Sequence, residues 1–168
     1  MLDEKQIVKR LAEGDIMSLE VLYNEYGSQV YSYALSLTKS KELAEDAVTD
    51  AFIQTYEYVR KTKEVKSLKA LVYTICRNKA FDEMKYRSRI QEMPEDWQIP
   101  DGAFPMDEKI AVRSAVNALP SPEKDIVILY CVHELKHKEI AKVLGIPEGT
   151  VRWKYRNAIK ALKKSLRM

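Results

Sequence analysis

The chain has 168 residues, 46% hydrophobic and 32% charged, with only 5 Gly and 6 Pro. That is enough apolar material for a core and too few turn formers for a strand-rich fold, which argues against disorder throughout and for one medium or two small helical domains. The net charge of +3 is uneven: residues 108–168 hold 13 Lys/Arg against 6 Asp/Glu, and residues 1–107 hold 15 against 19.

The last stretch, Arg152 to Met168, has 7 basic residues and no acid, so a polyanionic partner is expected for that end. The start, Met1 to Gln6, is charged, and the longest apolar run, Ile126 to Val132, has 7 residues. Neither a signal peptide nor a membrane span is expected, and the protein reads as cytoplasmic. Cys76 and Cys131 lack C-x-x-C spacing and read as two reduced, buried thiols.

In chain order, Ile7, Val8, Leu11 and Ala12 form a short apolar stripe that stops at Gly14-Asp15. Leu19, Leu22, Tyr23 and Tyr26, then Val30, Tyr31, Ala34, Leu35 and Leu37, continue at helical spacing. Ser40 is a candidate N-cap with Glu42 in the first turn. Leu43, Ala47, Val48, Ala51, Phe52, Tyr56 and Val59 then give one apolar face. Arg60 to Lys66 reads as a loop, and Ser67 as the cap of a helix with Leu68, Leu71, Val72, Ile75 and Cys76 inside. Residues 88–107 contain Pro94, Pro100, Pro105 and Gly102 and read as an extended linker, with Trp97 or Phe104 docking on a neighbouring surface. Beyond it, Ile110, Val112, Val116 and Leu119 mark a helix ended by Pro120 and Pro122. An apolar helix over Ile126–Val132 and the segments His137–Leu144 and Thr150–Leu166 follow. The expectation is an all-α chain of two small helical domains.

The most specific pattern is Lys138 to Arg152. Two short helices crossing steeply need a small residue at contact (Ala141), a residue able to turn left-handed four positions on (Gly145), and an apolar plug six further (Val151). Ile140, Leu144 and Ile146 complete that face. In the second helix Val151, Tyr155, Ala158, Leu162 and Leu166 share one side, while Arg152, Lys154, Arg156, Lys160, Lys163 and Lys164 cover much of the rest. That is the layout of a helix-turn-helix whose second helix enters a DNA groove; a helical hairpin with a solvated basic face is the plainer alternative.

His133-Glu134-Leu135-Lys136-His137 matches the H-E-x-x-H spacing of zinc hydrolases. The match straddles a junction between two helices, and these are the only 2 histidines, leaving Glu148 or Cys131 as third ligand. A domain of about sixty residues leaves little room for a cleft. The match reads as a coincidence of two partly exposed imidazoles, with no metal, cofactor or catalytic residue expected.

From about Val8 to Leu166 the chain resembles bacterial sigma factors of the extracytoplasmic-function group. The likeness rests on Gly14-Asp15 with Leu22-Tyr23 and Tyr26, on Val30 to Leu35, on Glu42 to Val48 with Ala51-Phe52, and on Leu71 to Asp82. It continues in Leu119-Pro120, Glu139-Ile140-Ala141 and Gly145 to Arg152, in that order around a Pro-rich hinge. The resemblance implies a promoter-specificity factor for a stress or envelope-response regulon. Residues 1–87 would bind core RNA polymerase and recognise and melt the minus-ten element, 88–107 would be the linker, and 108–168 would read the minus-thirty-five element. Partners would be the clamp and flap of core polymerase, promoter DNA and an anti-sigma factor, with no membrane insertion and a monomer on the polymerase.

The implied polymerase contacts are Glu45, Asp46, Thr49, Asp50, Phe52 and Gln54, a strip that without the resemblance reads as a solvated helix surface with acids near its positive N-terminal end. For melted DNA they are Lys63 and Lys66 in the loop, and Tyr73, Arg77, Phe81 and Lys85 recurring every four residues, with Asn78 beside them to meet a flipped base. Aromatic faces stack on unpaired bases for about 1–3 kcal/mol each, and cations follow the backbone. The residues alone leave open whether Tyr73 and Phe81 are core instead. For duplex DNA they are Glu139, Thr150, Arg152, Trp153, Lys154, Arg156, Asn157 and Lys160, with Arg152 and Arg156 first for bases, and Lys154 and Lys160 for phosphates. Three departures from the family pattern bear on sequence preference and melting: Trp153 replaces a small polar residue, Asn157 and Ile159 replace arginines, and Leu71 replaces a common Trp. A free-standing helix-turn-helix repressor that dimerises through its N-terminal block is the competing reading.

Overall fold

The computed structural model describes residues 3–88 and 106–167, in two compact units, one within residues 1–97 and one within 98–168. Every regular element among them is helical. Most of the expected linker, with Trp97 and Phe104, lies outside the described residues; its two ends, Ser88 and Met106-Asp107, are helical.

The first unit contains α1 (Glu4–Ala12), α2 (Met17–Thr38), α3 (Lys41–Thr62) and α4 (Leu68–Ser88). Each boundary has a local cause. The Asp3 carboxylate accepts from the Lys5 and Gln6 amides and starts α1. Gly14, at φ 90°, turns the chain after it. The Asp15 carboxylate then accepts from the Met17 amide and the Ser18 hydroxyl, both at 3.0 Å, and pairs with Arg10 at 2.7 Å. These donors hold its carboxyl below the usual carboxylate range, the Ser18 hydroxyl first among them. Lys39, left-handed at φ 56°, ends α2, and the Ser40 hydroxyl accepts from the Leu43 amide as expected. α3 runs further than the sequence pattern suggests. It continues through Arg60, Lys61 and Thr62 before Lys63 turns left-handed at φ 59°.

α4 has a double cap. Ser67 Oγ accepts from the Ala70 amide, and the Glu4 carboxylate, reaching over from α1, accepts from the Leu68 amide at 3.0 Å and the Lys69 amide at 3.4 Å. The Tyr26 hydroxyl donates to the same carboxylate at 2.9 Å. A negative group at the positive end of a helix satisfies two otherwise orphaned donors and ties α1, α2 and α4 together. Inside, Leu11, Leu22, Val30, Ala34, Ala51, Val59, Leu68, Val72, Cys76 and Ala80 are buried around Tyr33 and Tyr73. Burying each large aliphatic side chain contributes about 1.5–3 kcal/mol. The buried hydroxyls of Thr38 and Thr55 are satisfied by the carbonyls four residues back, Ala34 and Ala51.

The second unit contains α5 (Met106–Asn117), α6 (Glu123–Val127), a π-helical turn (Ile128–Val132), α7 (His137–Leu144) and α8 (Glu148–Ser165). In α5 the buried residues are Ala115 and Val116, while Ile110, expected inside, is 62% exposed. The apolar run is one π-widened helix. Ile126 to Leu129 are buried, but the wider turn carries Tyr130 and Cys131 outward. Cys131 is thus exposed rather than buried; Cys76 is buried, which pushes its thiol up to about 12, and neither forms a disulfide.

Candidate nucleic-acid and polymerase interfaces

Glu134, left-handed at φ 56°, separates the π turn from α7. His133 therefore ends the π turn while His137 opens α7, and His133 is buried rather than partly exposed. Among the described residues no three His, Cys, Asp or Glu side chains are grouped to hold a metal. α7 is capped by Lys136, whose amide donates to Glu139 Oε2 at 2.8 Å, and by Gly145, left-handed at φ 67°. Ile140, Ala141 and Val143 of α7 and Val151 and Ala158 of α8 are buried where they meet. The pair of helices the spacing called for is present around a left-handed Gly145, with Val143 inside and Leu144 and Ile146 only half-buried.

With that side of α8 turned inward, Arg152, Trp153, Arg156 and Lys160 are exposed, and Thr150 and Asn157 half-buried. Arg152 pairs with Glu148 one turn back at 2.6 Å. Both partners are well exposed, so releasing Arg152 to a base edge costs only about 0.3–0.5 kcal/mol. That is less than the 1–3 kcal/mol of discrimination an Arg–guanine contact supplies, so the pair does not disable Arg152. Lys154 differs. Its ammonium lies 2.9 Å from Glu123 of α6, the side chains being 24% and 16% exposed, and the bond depresses the Glu123 carboxyl. Thus Lys154, expected on phosphate, serves as a strut between α6 and α8. Beside Arg152 and Arg156 lies a hollow of about 450 Å³ lined also by His137, Tyr155 and Lys160. The rings of Tyr130, His137 and Tyr155 meet there with centroids 4.6–5.1 Å apart.

On α4 the four-residue stripe does not stay on one surface. Tyr73 is fully buried against Tyr33, centroids 5.3 Å apart, and burial pushes its hydroxyl far up. An unpaired base cannot reach its face, so the expected stacking role is corrected to packing. Arg77 donates to the Tyr33 hydroxyl at 3.0 Å and lies over the Phe81 ring at 4.5 Å, which couples the half-buried Phe81 to the core. Asn78 and Lys85 are exposed, as are Lys63 and Lys66 in the turn before α4.

On α3, Glu45, Asp46 and Thr49 are exposed and Asp50 and Gln54 half-buried, forming the expected polar strip. Phe52 is 3% exposed, its ring edge-on to Tyr23 at 5.0 Å, so it belongs to the core. The neighbour the sequence reading omitted, Ile53, is 47% exposed in line with Asp46 and Thr49. An apolar residue one place outside a core heptad was the available signal.

A four-helix unit with an acidic strip and a helix-turn-helix unit with a basic one define a two-unit helical protein built to reach DNA. Residues 22–90 match the family "Sigma-70 region 2" and residues 109–162 match "Sigma-70, region 4". The chain is 25% identical over 156 residues to the ECF RNA polymerase sigma factor SigM of Bacillus subtilis, covering 87% of this chain and 95% of that one. It is 23% identical over 167 residues to SigL of Mycobacterium tuberculosis, covering 95% and 94%. Its fold is that of the solved CnrH in complex with the cytosolic domain of CnrY (TM-score 0.71, 18% identity, 96% of each chain). It is also that of the sigma factor RpoE in complex with the anti-sigma factor NepR from Bartonella quintana (TM-score 0.70, 21% identity, 89% of this chain and 96% of that one). The chain belongs to the extracytoplasmic-function group of RNA polymerase sigma factors, which confer promoter specificity. Among the described residues no helix is long and apolar enough to cross a membrane.

Proposed function

We propose a division of labour in which residues 1–87 bind core polymerase and the minus-ten element, 88–107 link, and 108–168 read the minus-thirty-five element. The polymerase clamp meets Glu45, Asp46, Thr49, Asp50 and Gln54 with Ile53 as the apolar anchor among them, and the flap meets the second unit. Lys63, Lys66, Asn78 and Lys85, with the Arg77–Phe81 pair, hold melted DNA. Glu139, Thr150, Arg152, Trp153, Arg156, Asn157 and Lys160 face the duplex. The protein acts in the cytoplasm without chemistry of its own, as a monomer on the polymerase. An anti-sigma protein, as NepR is to the solved RpoE, holds it inactive until a stress or envelope signal arrives.

The observation that carries this reading is the sorting of α8: its apolar side is buried against α7, and its exposed side carries Arg152, Arg156 and Lys160 with no acid beyond Glu148. Such a helix attracts a polyanion and presents forked donors to base edges. The test is Arg152→Ala in the full chain. Binding to an upstream element selected from genomic fragments should fall about tenfold or more, while association with core polymerase stays unchanged. Loss of both, or of neither, contradicts the division.

A further inference from the structure

Trp153 is 59% exposed, the one large aromatic side chain set out on the basic side of α8. Residue 153 is turned about 200° from the buried Val151, so its indole points away from α7, on the same side as Arg156 and Lys160. Folding gives no reason for it, because no apolar partner covers most of the ring. The ammonium of Lys154, fixed by Glu123, lies 5.7 Å from the ring centroid and steadies one side.

A second observation falls one turn earlier on the same outward stripe. Gly149 is the second residue of α8, and a methyl group built there meets no atom within 4 Å; its φ lies outside the left-handed range. Neither space nor backbone conformation demands glycine, although glycine is the least favourable residue in a helix after proline. With glycine there, the exposed surface one turn along from Trp153 carries no side chain.

The chemistry around the ring says what that is. From Arg152 to Met168 there are 7 cations and no acid, so the approaching surface is anionic. The apolar groups that a duplex presents in its major groove are the C5-methyl groups of thymine. We propose that Trp153 reads a thymine in the upstream element by packing its indole against the C5-methyl, with Gly149 leaving room for the DNA to approach. This rests on α8 being the recognition helix, and it gives the chain a preference for thymine at one position of that element.

The experiment uses holoenzyme assembled from core polymerase and the full chain, with duplexes in which each thymine of the selected upstream element is replaced in turn by uracil. That change removes one methyl group and nothing else. For the wild type, one position should weaken binding about fourfold, the equivalent of one buried methyl. Trp153→Ser, which alters only an exposed side chain, should bind thymine and uracil duplexes alike there. Gly149→Ala should fold at least as stably and bind the duplex several-fold more weakly. A flat uracil scan with the wild type, or a Trp153→Ser profile that still distinguishes the two bases, overturns the proposal. So does a Trp153→Ser defect confined to core polymerase or another protein. Arg152→Ala run alongside separates the two readings: if it too binds normally, α8 is not the recognition helix.

Discussion

In the first unit Tyr33 and Tyr73 are enclosed between α2 and α4, and Arg77 turns inward to the Tyr33 hydroxyl and the Phe81 ring. In the second, Trp153 stands out among exposed cations, and Tyr130 is 39% exposed at the edge of a three-ring cluster. Both units place aromatics and cations at helical spacing, yet one uses them to close a core and the other to furnish a surface. The difference follows from helix length and partners. α2, α3 and α4 are each at least 21 residues long and bury a continuous side against two neighbours. α8 rests mainly on α6 and α7, of only 5 and 8 residues, so of its own 18 residues only Val151 and Ala158 are buried.

The largest effect expected from this contrast comes from truncating one aromatic in each unit. Tyr73→Ala empties a fully buried site and should cost about 3–5 kcal/mol in denaturant unfolding of the full chain. Trp153→Ala removes a larger side chain and should change stability by no more than about 0.5 kcal/mol. If the two losses came out equal, the assignment of one ring to the core and the other to the surface would fall. A smaller change sharpens the account of how the first unit is tied together. Glu4→Ala removes the distant cap of α4 and should cost about 1–2 kcal/mol, within the range for cap removal. Amide exchange should quicken at Leu68 and Lys69, whose donors lose their acceptor, and unchanged protection there would show that the Glu4 carboxylate is not what shields them.

That cap also marks where the sequence stopped being readable. Ser40, Ser67 and the Gly14-Asp15 stop were legible because capping and left-handed turns are decided within four residues. Glu4 at the start of α4 was not, since its partners lie 64 and 65 residues away. The Lys154–Glu123 pair spans 31 residues, and for the same reason Lys154 read as a phosphate contact. Tyr73 and Phe81 belong to one four-residue stripe. Their different depths depend on where α2 crosses α4, which no spacing within α4 states. Cys131 went wrong through a local cause of another kind: an unbroken apolar run reads as buried throughout, whereas the π turn carries Tyr130 and Cys131 outward.

The smallest expected effect separates the units by pH. Neither histidine lies in the first unit. In the second, His137 sits under the Tyr130 and Tyr155 rings, its Nε2 buried without a hydrogen-bond partner. Burial, and then the Arg152 guanidinium, hold its pKa below the ordinary 6.5, while Glu148 pulls the other way. The fold therefore prefers the neutral ring, and the unfolded chain takes up the proton first. The second unit has its full stability above about pH 6.5 and loses some as the pH falls through the folded-state value. Asp15 and Glu123, both depressed carboxyls, lose their contributions only in the more acidic carboxylate range, so the windows do not overlap. Thermal unfolding of the full chain from pH 7.5 to 5 should show a decline in the second unit that His137→Gln flattens. Arg152→Ala should flatten it in part, and Glu148→Gln should steepen it, because the one group favouring protonation is gone. Superimposable profiles for the wild type and His137→Gln would assign the decline elsewhere and remove the ring cluster as the source of this difference between the units.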